Sequence, residues 1–168
     1  MAKLIATRTA QYPLFAEFVF NYNDYAKDSV DGVTKTFGAA VATADPNGLV
    51  SGLQAGTGIV LDCIPMPQGA VITGGEVIVE TAFAGIGAGA TLSLGIAGDT
   101  ASLVSALDLD AATSGARTAL TLTAPLVANG GQNLRLTTAG LTATATAGKV
   151  RVRVQYTIDA RSNENVIA

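Results

Sequence analysis

Lys149-Val150-Arg151-Val152-Arg153-Val154-Gln155-Tyr156-Thr157-Ile158 alternates without a break. Val150, Val152, Val154, Tyr156 and Ile158 share one face, and Lys149, Arg151, Arg153, Gln155 and Thr157 share the other. A period of two belongs to a pleated strand, whose successive side chains point to opposite faces. One apolar face and one polar face is the mark of a strand in a half-covered antiparallel sheet.

The same period recurs upstream. Residues 70–83 place Val77, Val79 and Phe83 on one face and Glu76 and Glu80 on the other. The Gly74-Gly75 pair inside that stretch marks a bulge or bend. Residues 91–96 align Leu92, Leu94 and Ile96, and residues 118–123 align Leu120 and Leu122. Leu134-Arg135-Leu136-Thr137 follows the turn Asn129-Gly130-Gly131, and residues 59–63 form a short strand stopped by Pro65 and Pro67, which cannot donate to a ladder. Asp31-Gly32 reads as a hairpin turn before Val33-Thr34-Lys35-Thr36. Residues 14–20 carry apolar groups on both faces, as in a strand covered on both sides.

Three stretches break the pattern. Residues 102–107 are the single segment compatible with a helical turn, the other reading being a long loop. Residues 142–146 form a polar edge or loop, and residues 38–58, with the turn signal Asp45-Pro46-Asn47-Gly48, read as a long, weakly regular connection. Short strands about ten residues apart, separated by Gly-rich turns, predict an all-β chain folded as an antiparallel sandwich or barrel. The expected division is an N-terminal arm, hairpin and connection over 1–57, partly integrated in the sandwich, a β-sandwich body over 58–160 and a short polar tail over 161–168.

Composition bounds the chemistry. The 168 residues predict one domain, large enough to bury a core without disulfides. Hydrophobic residues make up 49% but aromatics only 5%, so small side chains carry the apolar excess. A disordered tail would be more charged and less apolar. One Cys and no His exclude a disulfide scaffold and argue against a zinc site. They also remove the usual proton shuttle and any Cys–His pair within the chain. No Gly-x-Ser-x-Gly elbow is present, leaving only Ser–Lys variants formally open. A net charge of -3 is not that of a nucleic-acid binder. With only 14% charged residues, much of the surface is expected to meet other protein. No run approaches the 18 or so apolar residues of a membrane span. Arg8, Pro13 and Glu17 interrupt the N-terminal apolar stretch, so it does not read as a signal peptide and a cytoplasmic product is expected.

The individual motifs resolve to bland readings. Gly85-Ile86-Gly87-Ala88-Gly89 precedes a strand rather than the helix a phosphate loop needs, so it reads as a hairpin loop. Asp108-Leu109-Asp110 starts like a calcium loop, but Thr113 and Ala119 occupy the positions that need Gly and Glu. Glu76 and Glu80 are expected to offset Arg151 and Arg153 across strands. Cys63 reads as a small buried hydrophobe. Tyr12, Tyr22, Tyr25 and Tyr156 form no obvious sugar platform. No catalytic residue, cofactor or metal ligand is therefore expected.

Two groups stand out as contacts for a partner protein. Leu4, Ile5, Tyr12, Phe15, Phe18 and Phe20 concentrate apolar side chains in the first 22 residues. Lys149, Arg151 and Arg153 make a basic stripe on the last strand, and Arg161 follows in the C-terminal tail, a second candidate contact. The plainer alternatives are an ordinary core strand for the first and a solvated strand face for the second.

Three stretches together resemble a known family. Ile64-Pro65-Met66-Pro67-Gln68-Gly69-Ala70-Val71-Ile72-Thr73-Gly74-Gly75-Glu76-Val77-Ile78-Val79-Glu80-Thr81-Ala82-Phe83 is similar to a segment of small structural proteins of tailed bacteriophages, encoded beside the major capsid gene. Residues 147–165 resemble their last strand and polar tail, and Arg117-Thr118-Ala119-Leu120-Thr121 fits between. These proteins are head decoration, or cement, proteins. The resemblance implies a jelly-roll-like β-sandwich on the capsid exterior, made in the bacterial cytoplasm, non-enzymatic and without a cofactor. It also implies the major capsid protein and further copies of the chain, as a dimer or trimer, as partners, with no direct nucleic-acid or membrane contact. A receptor- or glycan-binding β-domain of a tail fibre is the rival reading, and a virion-associated hydrolase a third.

Overall fold

Valine-rich and leucine-rich alternation does what it predicts: among the described residues of the computed structural model every regular element is a strand. The structure describes residues 13–30, 32–40, 57–122, 127–128 and 132–158. In chain order the strands are β1 (Leu14–Asn21), β2 (Tyr25–Lys27), β3 (Thr34–Thr36), β4 (Thr57–Pro65), β5 (Ala70–Ala84), β6 (Thr91–Ile96), β7 (Asp99–Asp108), β8 (Arg117–Ala119), β9 (Val127–Ala128), β10 (Asn133–Ala139) and β11 (Ala147–Ile158).

Eight of them form the continuous paths of two antiparallel sheets. One has the order β1-β11-β5-β8, with β9 also on β5, and the other the order β4-β10-β6-β7. The pairing follows a single rule. Among these eight the first strand pairs with the last (β1 with β11), the second with the seventh (β4 with β10), the third with the sixth (β5 with β8) and the fourth with the fifth (β6 with β7). That is one long hairpin rolled up, closed by β11 on β5 and β10 on β6. It is the jelly-roll form of the sandwich, two sheets that share one core.

The inner faces supply that core. Val150, Val152 and Val154 of β11, Val77 of β5, Leu92 and Leu94 of β6, and Leu134 and Leu136 of β10 have no exposed surface. Leu14–Asn21 belongs to this body as an edge strand of the first sheet. Phe20 is buried and stacks on Phe37 with ring centroids 4.2 Å apart, and Phe18 packs half-buried against both rings.

The structure corrects several sequence expectations. Residues 102–107 are not helical but lie in β7. Its register against β6 shifts twice, so Leu103 and Val104 are both buried in succession, which hides the period of two. The Gly85–Gly89 loop is not a hairpin loop. It carries the chain from one sheet to the other, with Gly85, Gly87 and Gly89 all at positive φ. The alternation at 118–123 does not make one strand. β8 ends at Ala119, Leu120 is buried beside Gly75, and Leu122 is exposed because the chain has crossed toward β7, where Thr121 N–H donates to the Leu103 carbonyl at 2.8 Å. The bend expected at Gly74-Gly75 is present as a register shift between β5 and β11 at Thr73. Residues 142–146 form a loop. The turn at 129–131 and most of the connection at 38–58 lie outside the described residues.

The hairpin of β2 and β3 closes one side of the sandwich. Its buried Asp28 accepts hydrogen bonds from Val30 N–H (2.7 Å) and Val60 N–H (2.9 Å) and an ion pair from Lys35 Nζ (2.8 Å). Ser29 N–H donates to the Val60 carbonyl at 2.7 Å, and Asp62 N–H donates to Ser29 Oγ at 2.8 Å. The outer edge of β4 is thereby satisfied, as a buried ladder edge must be.

Candidate functional site

The outer face of the first sheet can be laid out row by row from the register, because directly paired residues of antiparallel strands point to the same face. Across β1, β11 and β5 one row runs Phe15, Gln155, Gly74. The next runs Glu17, Arg153, Glu76, Ala119 and the third Val19, Arg151, Ile78, Arg117, both reaching β8. Asn21, Lys149 and Thr81 complete the grid.

Charge on this face is largely self-cancelled. Lys149 Nζ meets Glu80 Oε2 at 2.8 Å, and Arg151 meets both Glu80, at 2.5 Å, and Glu17. Arg153 meets Glu17 at 3.3 Å, and Arg117 meets Glu76 at 2.7 Å. Lys149, Arg151 and Arg153 are therefore not a bare basic stripe but the central column of an ion-pair ladder. Sequence reasoning expects Glu76 and Glu80 as partners of Arg151 and Arg153. Glu80 does pair with Arg151, but Arg153 turns to Glu17, and Glu76 is taken by Arg117. Glu17, 134 residues from Arg151, lies too far along the chain for spacing to reveal. Ile78 lies on this face between Arg151 and Arg117 and is nonetheless buried.

At the β1 side the face turns apolar. Phe15 is 64% exposed and Val19 37%. The two-sided cover that the apolar pattern of residues 14–20 predicts is thus absent from this chain's own described residues on the outer side. Of the expected contact residues, the structure brings Phe15, Lys149, Arg151 and Arg153 onto one face. It removes Phe20 from any surface and holds Phe18 half inside. Leu4, Ile5, Tyr12 and Arg161 lie outside the described residues. A second apolar group, not foreseen in the sequence, sits on the small hairpin: Tyr25, Val30 and Val33 are exposed.

Asp108 Oδ1 accepts from Asp110 N–H (2.9 Å) and Ala111 N–H (3.0 Å), a turn-forming role. No group of three or more His, Cys, Asp or Glu side chains among the described residues could hold a metal ion. No helix among them is long and apolar enough to cross a membrane. Cys63 occupies a bulge in β4 opposite β10, where its Sγ donates to the Leu134 carbonyl at 3.3 Å. Burial pushes the thiol up to about 12, so it stays protonated and a poor nucleophile at neutral pH.

No protein-family model matches the chain, and no curated protein matches it. Among solved structures it is similar to a chain of a cyanophage Pam1 capsid asymmetric unit, at 20% sequence identity and a TM-score of 0.57. The match covers 92% of this chain and 92% of that one, so the two chains are of nearly equal length and alike in fold over most of it.

Proposed function

We propose that this chain is a non-enzymatic structural protein of a bacteriophage virion, which binds the outside of the capsid and clamps neighbouring capsomers against the pressure of packaged DNA. The observation that carries the reading is the fold shared over nearly the full length with a chain of a phage capsid asymmetric unit. The surface supports it. A jelly roll is a rigid body, and its broad outer face presents a neutralised charge ladder bordered by exposed Phe15 and Val19, the mixed character of a protein-docking patch. Clamping needs several modest contacts on one rigid body, whose combined strength exceeds that of each. In this reading the major capsid protein is the partner. Leu4, Ile5, Tyr12, Phe15, Lys149, Arg151, Arg153 and Arg161 are the contact residues, and the capsid exterior is the location.

The test is reconstitution. Purified chain is mixed with full capsids lacking it, which are then pelleted and heated. Saturable binding at a fixed ratio to capsid protein, with DNA release moved to higher temperature, is the expected result. Chain that stays in the supernatant while the capsids pellet contradicts the proposal, and binding without a change in DNA release removes the clamping part.

A further inference from the structure

We infer that the outer edge of β1 is a self-pairing edge: two copies of the chain join antiparallel through Phe15, Glu17 and Val19, making one continuous sheet across a two-fold axis. The inference does not depend on the capsid reading.

The direction of each amide along β1 follows from its two ends. Tyr22 N–H donates to the Gly148 carbonyl on the β11 side, so the even-numbered residues of β1 form its bonds to β11. Asn21 N–H turns the other way, to Asp24 Oδ2 at 2.7 Å. The odd-numbered residues therefore point their N–H and C=O groups away from the sheet. Asn21 is capped by Asp24, and Pro13, one step before β1, has no N–H to offer. Phe15, Glu17 and Val19 remain between these stops, and among the described residues no backbone partner meets them.

Other sheet edges among the described residues are short or partly occupied: β8 and β9 run three and two residues. Asp28 and Ser29 bond the edge of β4, and Thr121 N–H bonds the Leu103 carbonyl of β7. Edge strands are ordinarily protected by a bulge, a proline or an outward charge. β1 pairs with β11 through all eight residues without a register shift, so it has no bulge. Its single charge, Glu17, is drawn inward onto Arg151 and Arg153. A regular edge whose one charge is drawn inward is a template for another strand.

A second copy fits that template. Pairing centred on Glu17 sets Phe15 of one copy against Val19 of the other, twice, covering the two exposed apolar side chains of β1 with each other. About six backbone bonds form between the facing odd residues. The two Glu17 carboxylates meet at the axis. Like charges placed so are unfavourable, but each already has two guanidinium partners. One strand pair covers less than the ~800 Å² per partner of a standard interface, so the dimer in solution is weak and concentration-dependent.

Analytical ultracentrifugation of the isolated full chain from micromolar to millimolar concentration, with residue-resolved amide exchange, tests this. The expected result is reversible dimerisation in which the amides of Phe15, Glu17 and Val19 slow as concentration rises. V19P removes an outward N–H without touching the β11 ladder, and F15K adds an outward charge. Each should weaken dimerisation at least about tenfold, while thermal melting shows a folded monomer. A chain monomeric at millimolar concentration overturns the inference. So does a dimer whose three amides do not slow, or one that both folded variants leave unchanged.

Discussion

Phe15 and Phe20 lie on one strand and have opposite surroundings, the first mostly in solvent and the second inside the core against Phe37. F20A should cost about 3–5 kcal/mol, the range for deleting a buried aromatic ring, while F15S should shift stability by no more than about 0.5 kcal/mol. Urea unfolding of the two variants beside the parent checks both. Parity of strand position was readable in the sequence, but which apolar face would be buried was not, since both faces of residues 14–20 look alike. Asp28 was equally illegible: nothing local marks a carboxylate whose partner amide, Val60, lies 32 residues away. D28A should cost about 1–3 kcal/mol, because it takes away the acceptor of the buried Val60 amide. Cys63 gives a pH signature. Burial raises its pKa from the ordinary thiol value near 9.0 to about 12 in the fold, so the thiol loses its proton more readily once the chain unfolds. Stability from this group is fully present below pH 9 and falls as pH rises toward 12, by up to about 1.4 kcal/mol per unit. C63A should flatten that part of the stability–pH curve, and alkylation of the native thiol at pH 8 should be slower than in urea by orders of magnitude.

At the level of elements, legibility followed regularity. β11 keeps strict alternation, and its valines are buried as its pattern predicts. β7 was lost because its bulges against β6 put two buried residues in succession, a signal that looks more helical than pleated. The Gly85–Gly89 loop looked like a hairpin because sequence shows that a chain turns but not which sheet it turns into. Gly75 illustrates a constraint of the opposite kind. Its φ of 141° and the 2.3 Å that would separate an added Cβ from the Arg153 carbonyl leave no room for a side chain between β5 and β11. G75A should therefore destabilise by more than about 1 kcal/mol, measured by thermal melting. The ion-pair ladder beside it is exposed enough to matter little for folding. E17Q should change stability by less than about 1 kcal/mol, and less still in high salt.

For the whole molecule, the strand pattern announced a sandwich or barrel, and the family resemblance narrowed that to a jelly roll. The pairing of first with last, second with seventh and so inward is a long-range property that periodicity does not contain. The same rolling places β1 in the body, as an edge strand of its first sheet. Removing residues 2–11 should, on the proposed function, weaken shell binding. Removing residues 2–22 takes away β1 and Phe20 and should prevent folding. The central claim concerns where the folded body resides. Low-dose electron imaging of purified particles containing this chain answers it directly. The account predicts many copies in regular array on the outer shell, each bridging adjacent capsomers. A few copies confined to one vertex or to the tail, or none on the shell, would contradict it.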